Sequence, residues 1–322
     1  LELLCADIGG TNARLAIMDG LEIKHLKIYE TGKAEGAVPL LKRFSRESGI
    51  RLPSKACIAA AGVVEGKRVK GTNIPWDIDC EKIQKGLDID ECVVLNDFEA
   101  AAWGLLAVDE KRLVRFGGEK PDPMGTRAIL GAGTGLGEAI LVHCKSGWKV
   151  LRTEGGHSSF SPRNRQGIEL LVHLMEKYGH VSFERVLSGS GLWEIYSFFL
   201  LGKNSENEEA TRESGQLDGP SRVTKLAKEQ DEDALDAISF FLGIYGEEAS
   251  NLALKCLPSG GIYLTGGVTL HLLEYFSRSP FRSSFEEKGR MSPLLEKIPV
   301  FVVNEPLLGL LGSAYRLMQQ PG

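Results

Sequence analysis

The sequence predicts an α/β protein of two domains built on a duplicated core, and three observations carry that reading. The chain has 322 residues, more than a single hydrophobic core usually organises. A unit of strand, glycine turn, strand, turn, strand occurs twice, from Leu3 to Tyr29 and from Arg127 to Leu151. Apolar runs of strand length also alternate with runs of helical period through the rest of the chain, as in α/β folds.

In the first copy, Leu3 to Ile8 is a strand, Gly9-Gly10 a turn, Ala13 to Met18 a second strand and Glu22 to Tyr29 a third. Asp19-Gly20 between the last two is a strong hairpin signal, because both residues accept the backbone of a tight turn. The second copy places AILGA before the glycine-rich turn Gly131 to Gly137, then EAILVH, the turn Lys145-Ser146-Gly147 and WKVL. Between the copies stand a helix over 37–48, a buried strand over 56–61, and a strand at 92–95 running into a helix at 98–106. Later come helices over 166–178, 191–200 and 233–257, strands at 261–265 and 300–303, and a terminal helix. Gly202 to Pro220, rich in Glu, Asn, Ser and Gly, reads as a mobile surface loop.

Composition narrows the function. Hydrophobic residues make up 43% and charged residues 25%, which allows a large core and excludes overall disorder. A net charge of −5 lacks the basic footprint that nucleic acid or an anionic membrane selects, so neither is an expected partner. The six cysteines are scattered, without CxxC or CxC spacing, and read as reduced core residues. With no signal peptide or membrane-length apolar run in the sequence, the expected compartment is the cytoplasm.

Both glycine loops lead into a second strand, whereas a dinucleotide-binding loop opens a helix, so a Rossmann site is disfavoured. No G-x-x-x-x-G-K-[ST] sequence occurs either. Asp7-Ile8-Gly9-Gly10-Thr11-Asn12 nevertheless combines glycines that admit an anion, a hydroxyl, and a carboxylate able to meet a metal through water. A plain hairpin turn fits the same residues. The run from Gly131 through Gly133, Thr134 and Gly135 to Gly137 is more specific, because alternate glycines cost roughly 1 kcal/mol each in ordered structure. A tight corner would account for one or two of them, and a second phosphate cradle accounts for all.

Asn96-Asp97 lies where a buried strand meets a helix, so Asp97 is either a helix cap or a catalytic base. Glu154-Gly155-Gly156-His157 follows a strand, and Ser182-Phe183-Glu184-Arg185 opens a helix with a hydroxyl and an acid in capping-like order. Local structural roles suit these too. Carboxylates, an amide and an imidazole are also the groups that hold sugar hydroxyls by directional hydrogen bonds.

Taken in order, DIGGTNARLA (7–16), TNIPW (72–76), LNDFEA (95–100), FGG (116–118), GAGTGLG (131–137), EGGH (154–157), ERVLSG (184–189), TGG (265–267), FEEKGR (285–290) and GLLGSA (309–314) resemble the bacterial-type glucokinases. That family belongs with hexokinases, actin and the seventy-kilodalton heat-shock chaperones. The likeness spans nearly the whole chain and implies a duplicated actin-like, ribonuclease H-like kinase. Its small domain would be 1–107, completed by 305–322, and its large domain 108–304. By the resemblance, Asn73, Asn96, Asp97, Glu154, His157 and Glu184 would bind glucose, and Asp97 would take the proton from the 6-hydroxyl. Asp7, Gly9, Gly10, Thr11 and Asn12 would face the phosphates of ATP from one side, and Gly131, Gly133, Thr134 and Gly135 from the other. Asp7 would also meet Mg²⁺ through water, and Gly266 and Gly267 would lie beside the adenosine. Related repressors carry a cysteine-rich zinc motif after EGGH, but Ser158 to Gly167 has no cysteine, so no structural zinc is expected. The resemblance further implies a homodimer. Kinases for another hexose or an amino sugar, and non-catalytic sugar sensors of the same fold, are the competing readings.

Overall fold

The computed structural model describes residues 1–71, 74–203 and 219–319. It divides into two compact units, Leu1–Arg112 with Cys144–Arg152 and Glu305–Gly322, and Leu113–His143 with Thr153–Asn304.

The first unit runs β1 (Glu2–Ile8), β2 (Asn12–Asp19), β3 (Glu22–Glu30), α1 (Ala37–Ser48), β4 (Lys55–Ala60), β5 (Gly62–Glu65), β6 (Arg68–Gly71), β7 (Ile78–Asp79), α2 (Cys80–Leu87), β8 (Glu91–Asn96) and α3 (Asp97–Gly104). Its main sheet has the order β3-β2-β1-β4-β8, with β1 antiparallel to β2 and β1, β4 and β8 parallel. Leu4, Ala6 and Ile8 join α1 and α2 in one core, while Leu3 and Cys5 join α3 and the C-terminal helix Leu308–Met318 in another. Burial on both faces explains why β1 is a continuous apolar run rather than an alternating one. The C-terminal helix meets α3 at backbone contact, since a Cβ on Gly312 would collide with the Ala100 carbonyl and one on Gly104 with the Leu308 carbonyl. That crossing fixes the helix whose first residue is Asp97.

The second sheet contains β9 (Leu113–Arg115), β10 (Arg127–Ala132), β11 (Leu136–Cys144), β12 (Gly147–Arg152), β13 (Gly261–Thr265) and β14 (Val300–Val303), in the order β12-β11-β10-β13-β14-β9. As in the first sheet, a central strand, β10, is antiparallel to its successor and parallel to the strand on its other side. Helices α4 (Arg165–Tyr178), α5 (Phe183–Val186), α6 (Gly189–Lys203), α7 (Gly219–Lys228), α8 (Glu232–Cys256), α9 (Gly267–His271), α10 (Phe281–Glu286) and α11 (Ser292–Leu295) complete the second unit. Ala128, Leu130, Ala132, Ile262 and Leu264 bury one face of this sheet against α8, whose Phe241 and Tyr245 are wholly enclosed.

Several expectations need correction. Gly202 and Lys203 end α6, and Gly219 and Pro220 open α7, so the segment read as one loop is helical at both ends; 204–218 lie outside the described residues. Ser182 makes no side-chain cap bond to α5, which has only four residues. The small sheet β5-β6-β7 was not foreseen. All six cysteines are free, and no described helix is long and apolar enough to cross a membrane.

Candidate active site

In the first unit, Asp7 and Asn96 stand at the carboxyl ends of parallel strands, where ligands of open α/β sheets bind. The register aligns Ile8 with Ala60 and Ala60 with Asn96. Thr31 closes the glycine turn after β1, its Oγ1 donating to the Gly9 carbonyl at 2.7 Å and its N–H to the Thr11 carbonyl at 2.9 Å. Arg14, opposite Asp7 on β2, approaches its carboxylate at 3.4 Å. Burial pushes the Asp7 carboxyl up, and the Arg14 guanidinium opposes that rise. The C-terminal helix lies close behind, since a Cβ on Gly309 would stand 3.1 Å from Asp7 Oδ2. A single carboxylate beside an open turn suits a water-mediated Mg²⁺, an ion that commonly uses one or two carboxylates with substrate phosphates.

Asn96 is the N-cap of α3: its Oδ1 accepts from the Phe98 N–H at 2.9 Å and the Glu99 N–H at 3.3 Å, and the Phe98 N–H also reaches Asp97 Oδ1 at 3.0 Å. Asn96 Nδ2 donates to the Gly62 carbonyl at 3.2 Å, and among the described residues its second Nδ2 proton has no acceptor. Asp97 occupies the first helical position of α3. Asn73 lies outside the described residues.

In the second unit the structure brings together Glu154, His157 and Glu184. His157 Nε2 is 3.9 Å from Glu154 Oε2, and its Nδ1 is 3.9 Å from Glu184 Oε1. The other Glu184 oxygen accepts from the Leu136 N–H at 3.0 Å, just after the glycine turn. Glu184 therefore serves the turn rather than its own helix, which replaces the expectation of a local capping-like role. The two groups that sequence separates by 48 residues form one wall.

The glycines divide by what surrounds them. A Cβ on Gly135 would strike the Glu184 carboxylate, and Gly266, with φ at +99°, would drive one into the Ala132 carbonyl. Gly131 is a strand residue, paired with Gly137 and Thr265. By contrast, Gly133 and Gly267 have ordinary φ and nothing within 4 Å of a Cβ, and Gly9 meets only the Asn12 carbonyl at 3.5 Å. Among the described residues nothing in the packing demands glycine at these three positions, whereas close approach by a ligand would.

Sequence reasoning missed the groups that hold the turn. Tyr245 OH donates to the Leu130 carbonyl, accepts from the Ala132 N–H and meets Thr269 Oγ1 at 3.0 Å. The Gly189 N–H at the start of α6 donates to the Gly133 carbonyl at 2.8 Å. A tyrosine inside an apolar helix gives no signal of such a role, although Ser188-Gly189-Ser190-Gly191 beside ERVLSG is a glycine cluster that could have marked the second contact.

A family model for glucokinases matches residues 4–320. The chain is 37% identical over 325 residues to the glucokinase of Tolumonas auensis, covering 100% of this chain and 98% of that one. It is 35% identical over 332 residues to the glucokinase of Nostoc punctiforme, covering 97% of each. The solved glucokinase of an Antarctic psychrotroph superposes with a TM-score of 0.83 at 28% identity, covering 98% of both chains. Two α/β units with glycine turns at the ends of their central strands, and a family match across almost every residue, lead to one conclusion: the chain belongs to the glucokinase family.

Proposed function

We propose that this chain transfers the γ-phosphoryl group of Mg·ATP to the 6-hydroxyl of glucose, with Asp97 as general base. The observation that supports this most is the wall in which Glu184 joins the glycine turn after β10 to the Glu154–His157 segment. Groups able to bind hydroxyls adjoin there a backbone left open at Gly133, as a sugar kinase requires.

In this reading Glu154, His157, Glu184 and the second Nδ2 proton of Asn96 orient the sugar hydroxyls. Asn73 takes the same role nearer the sugar mouth. Asp97 accepts the proton of the 6-hydroxyl as that oxygen attacks phosphorus, and the bond from the γ-phosphorus to the bridging oxygen breaks to release ADP. The open backbone at Gly9 to Asn12 and at Gly133 to Gly135 receives the phosphates, and Gly266-Gly267 flanks the adenosine. When bound through Asp7, Mg²⁺ supplies positive charge to the phosphate oxygens. Catalysis of this class rests mostly on positioning and charge stabilisation.

The repeated strand order supports a duplicated actin-like fold, whose working domains in this proposal are 1–107 plus 305–322 and 108–304. A homodimer in the cytoplasm completes the proposal. The test is a coupled assay of glucose 6-phosphate formation with Mg·ATP, run beside Asp97→Ala. Robust turnover by the parent is expected, with kcat in the variant reduced by about 10²- to 10⁴-fold while glucose binding persists. Near-normal kcat in Asp97→Ala would remove Asp97 from its role, and an inactive parent would remove the reaction.

A further inference from the structure

Behind the sugar-binding segment lie two carboxyl groups that the mechanism does not use. Glu138 on β11 is 3% exposed and Glu248 on α8 is wholly buried, and they interact directly. Glu138 Oε1 and Glu248 Oε1 are enclosed with no hydrogen-bond donor among the described residues. Two buried carboxylates facing one another are strongly unfavourable, whereas one proton between them supplies the missing donor and removes the repulsion. Glu138 also touches the sugar segment. A Cβ on Gly155 would collide with Glu138 Oε2, so only glycine lets the backbone rest on that carboxyl. Thr153 makes a second link, its Oγ1 donating to the Glu138 carbonyl at 3.3 Å and accepting from the Gly155 N–H at 3.2 Å.

We propose that Glu138 and Glu248 share a single proton, and that the neutralised pair is the floor on which Glu154–His157 is seated, making Glu138 a positioning residue for the sugar site. The inference rests on the proposed binding of glucose by Glu154 and His157.

The surroundings say where the proton sits. Glu248 Oε2 accepts from Asn251 Nδ2 at 2.8 Å, and Lys288 Nζ donates to Asn251 Oδ1 at 2.6 Å. Lys255 faces both carboxyls, Tyr245 and Cys256 face Glu138, and Glu247 and Arg163 lie beyond Lys288. Negative charge is thus favoured on Glu248 and the proton on Glu138, whose carboxyl is pushed up to about 8 by burial and by Glu248. Above that range both groups ionise, and their repulsion bears on the Gly155 backbone.

The experiment measures KM for glucose and the apparent Tm of the ligand-free protein from pH 5 to 9.5, in the parent, Glu138→Gln and Glu248→Gln. A carboxamide keeps the shape and donates the hydrogen bond without titrating. In the parent, KM should rise above about pH 8, approaching tenfold per pH unit where glucose binds only the protonated pair. The folded state keeps a proton that the unfolded chain releases above its ordinary carboxyl range. The pair's contribution to Tm is therefore full at low pH and is lost as pH rises to about 8. Both slopes should disappear in Glu138→Gln, and in Glu248→Gln, where Glu138 keeps its burial but loses the neighbouring charge, they should move to lower pH. A parent KM that stays flat to pH 9.5, a rise that survives unchanged in Glu138→Gln, or one unmoved in Glu248→Gln, overturns the inference. Failure to form glucose 6-phosphate at any pH would instead overturn the function, while the Tm slopes still test the shared proton.

Discussion

Gly133→Ala separates the fold's needs from the ligand's, because the two predict opposite signs. The residue has ordinary φ and open space around a Cβ, so alanine adds no strain to the ligand-free protein. Replacing glycine at such a site restricts the unfolded chain and stabilises by about 0.4–1 kcal/mol. For a protein of this size that raises apparent Tm by roughly 0.5–1.5 °C. If phosphate oxygens approach the backbone here, the added methyl displaces them, and losing one charged hydrogen bond costs about 1.5–3 kcal/mol. KM for ATP should then rise about 10- to 150-fold. Thermal denaturation without ligands, beside initial rates against ATP at saturating glucose, reads both effects. Gly266→Ala is the control: its φ of +99° and the Ala132 carbonyl oppose a Cβ, so apparent Tm should fall. A Gly133→Ala enzyme whose KM for ATP stays within twofold of the parent would refute phosphate approach at that residue.

Glu184→Ala should lower apparent Tm by several degrees, because the Leu136 N–H loses its acceptor at about 1–3 kcal/mol, and should raise KM for glucose. Glu184→Gln keeps an acceptor for that N–H, so it should raise KM while sparing Tm; equal Tm losses in the two variants would contradict the assigned bond. Gly312→Ala forces a Cβ into the Ala100 carbonyl at the helix crossing, and overpacking of this kind costs about 1–3 kcal/mol or more. Circular dichroism melts should show the loss, and a melt as stable as the parent's would show that the crossing opens without cost.

How much of this was legible in sequence depended on how local its cause is. The strands β1, β2, β10, β11, β13 and β14 and the turn at Asp19-Gly20 follow from apolar runs bounded by glycine and aspartate, and were readable. The sheet β5-β6-β7 was not, because its strands of four, four and two residues are too short to show a period. Asn96 and Asp97 are both good helix caps one residue apart; the Phe98 N–H reaches both side chains, and the Glu99 N–H chooses Asn96. The Glu184 carboxylate could bond its own helix or a distant strand, and four residues of helix offered it less than the Leu136 N–H. Glu138 did leave a trace: it shares a face of β11 with buried Leu136, where an apolar residue is expected. The sequence held no sign of its partner on α8.

The same distinction shows what a glycine motif means. In GAGTGLG, Gly131 and Gly137 are cross-strand partners and Gly135 yields space to Glu184. In TGG, Gly266 holds a conformation that a side chain would strain. Such residues are fixed by neighbours already present in the protein, so their glycine identity would persist even if no nucleotide were bound. Gly133 and Gly267 have no such neighbours, yet carry the entropic cost of glycine. A residue whose side chain is missing without an internal reason points to something outside the chain that needs the room. Both positions follow the carboxyl ends of parallel strands, so the phosphate reading gains its support there from the space itself rather than from the motif.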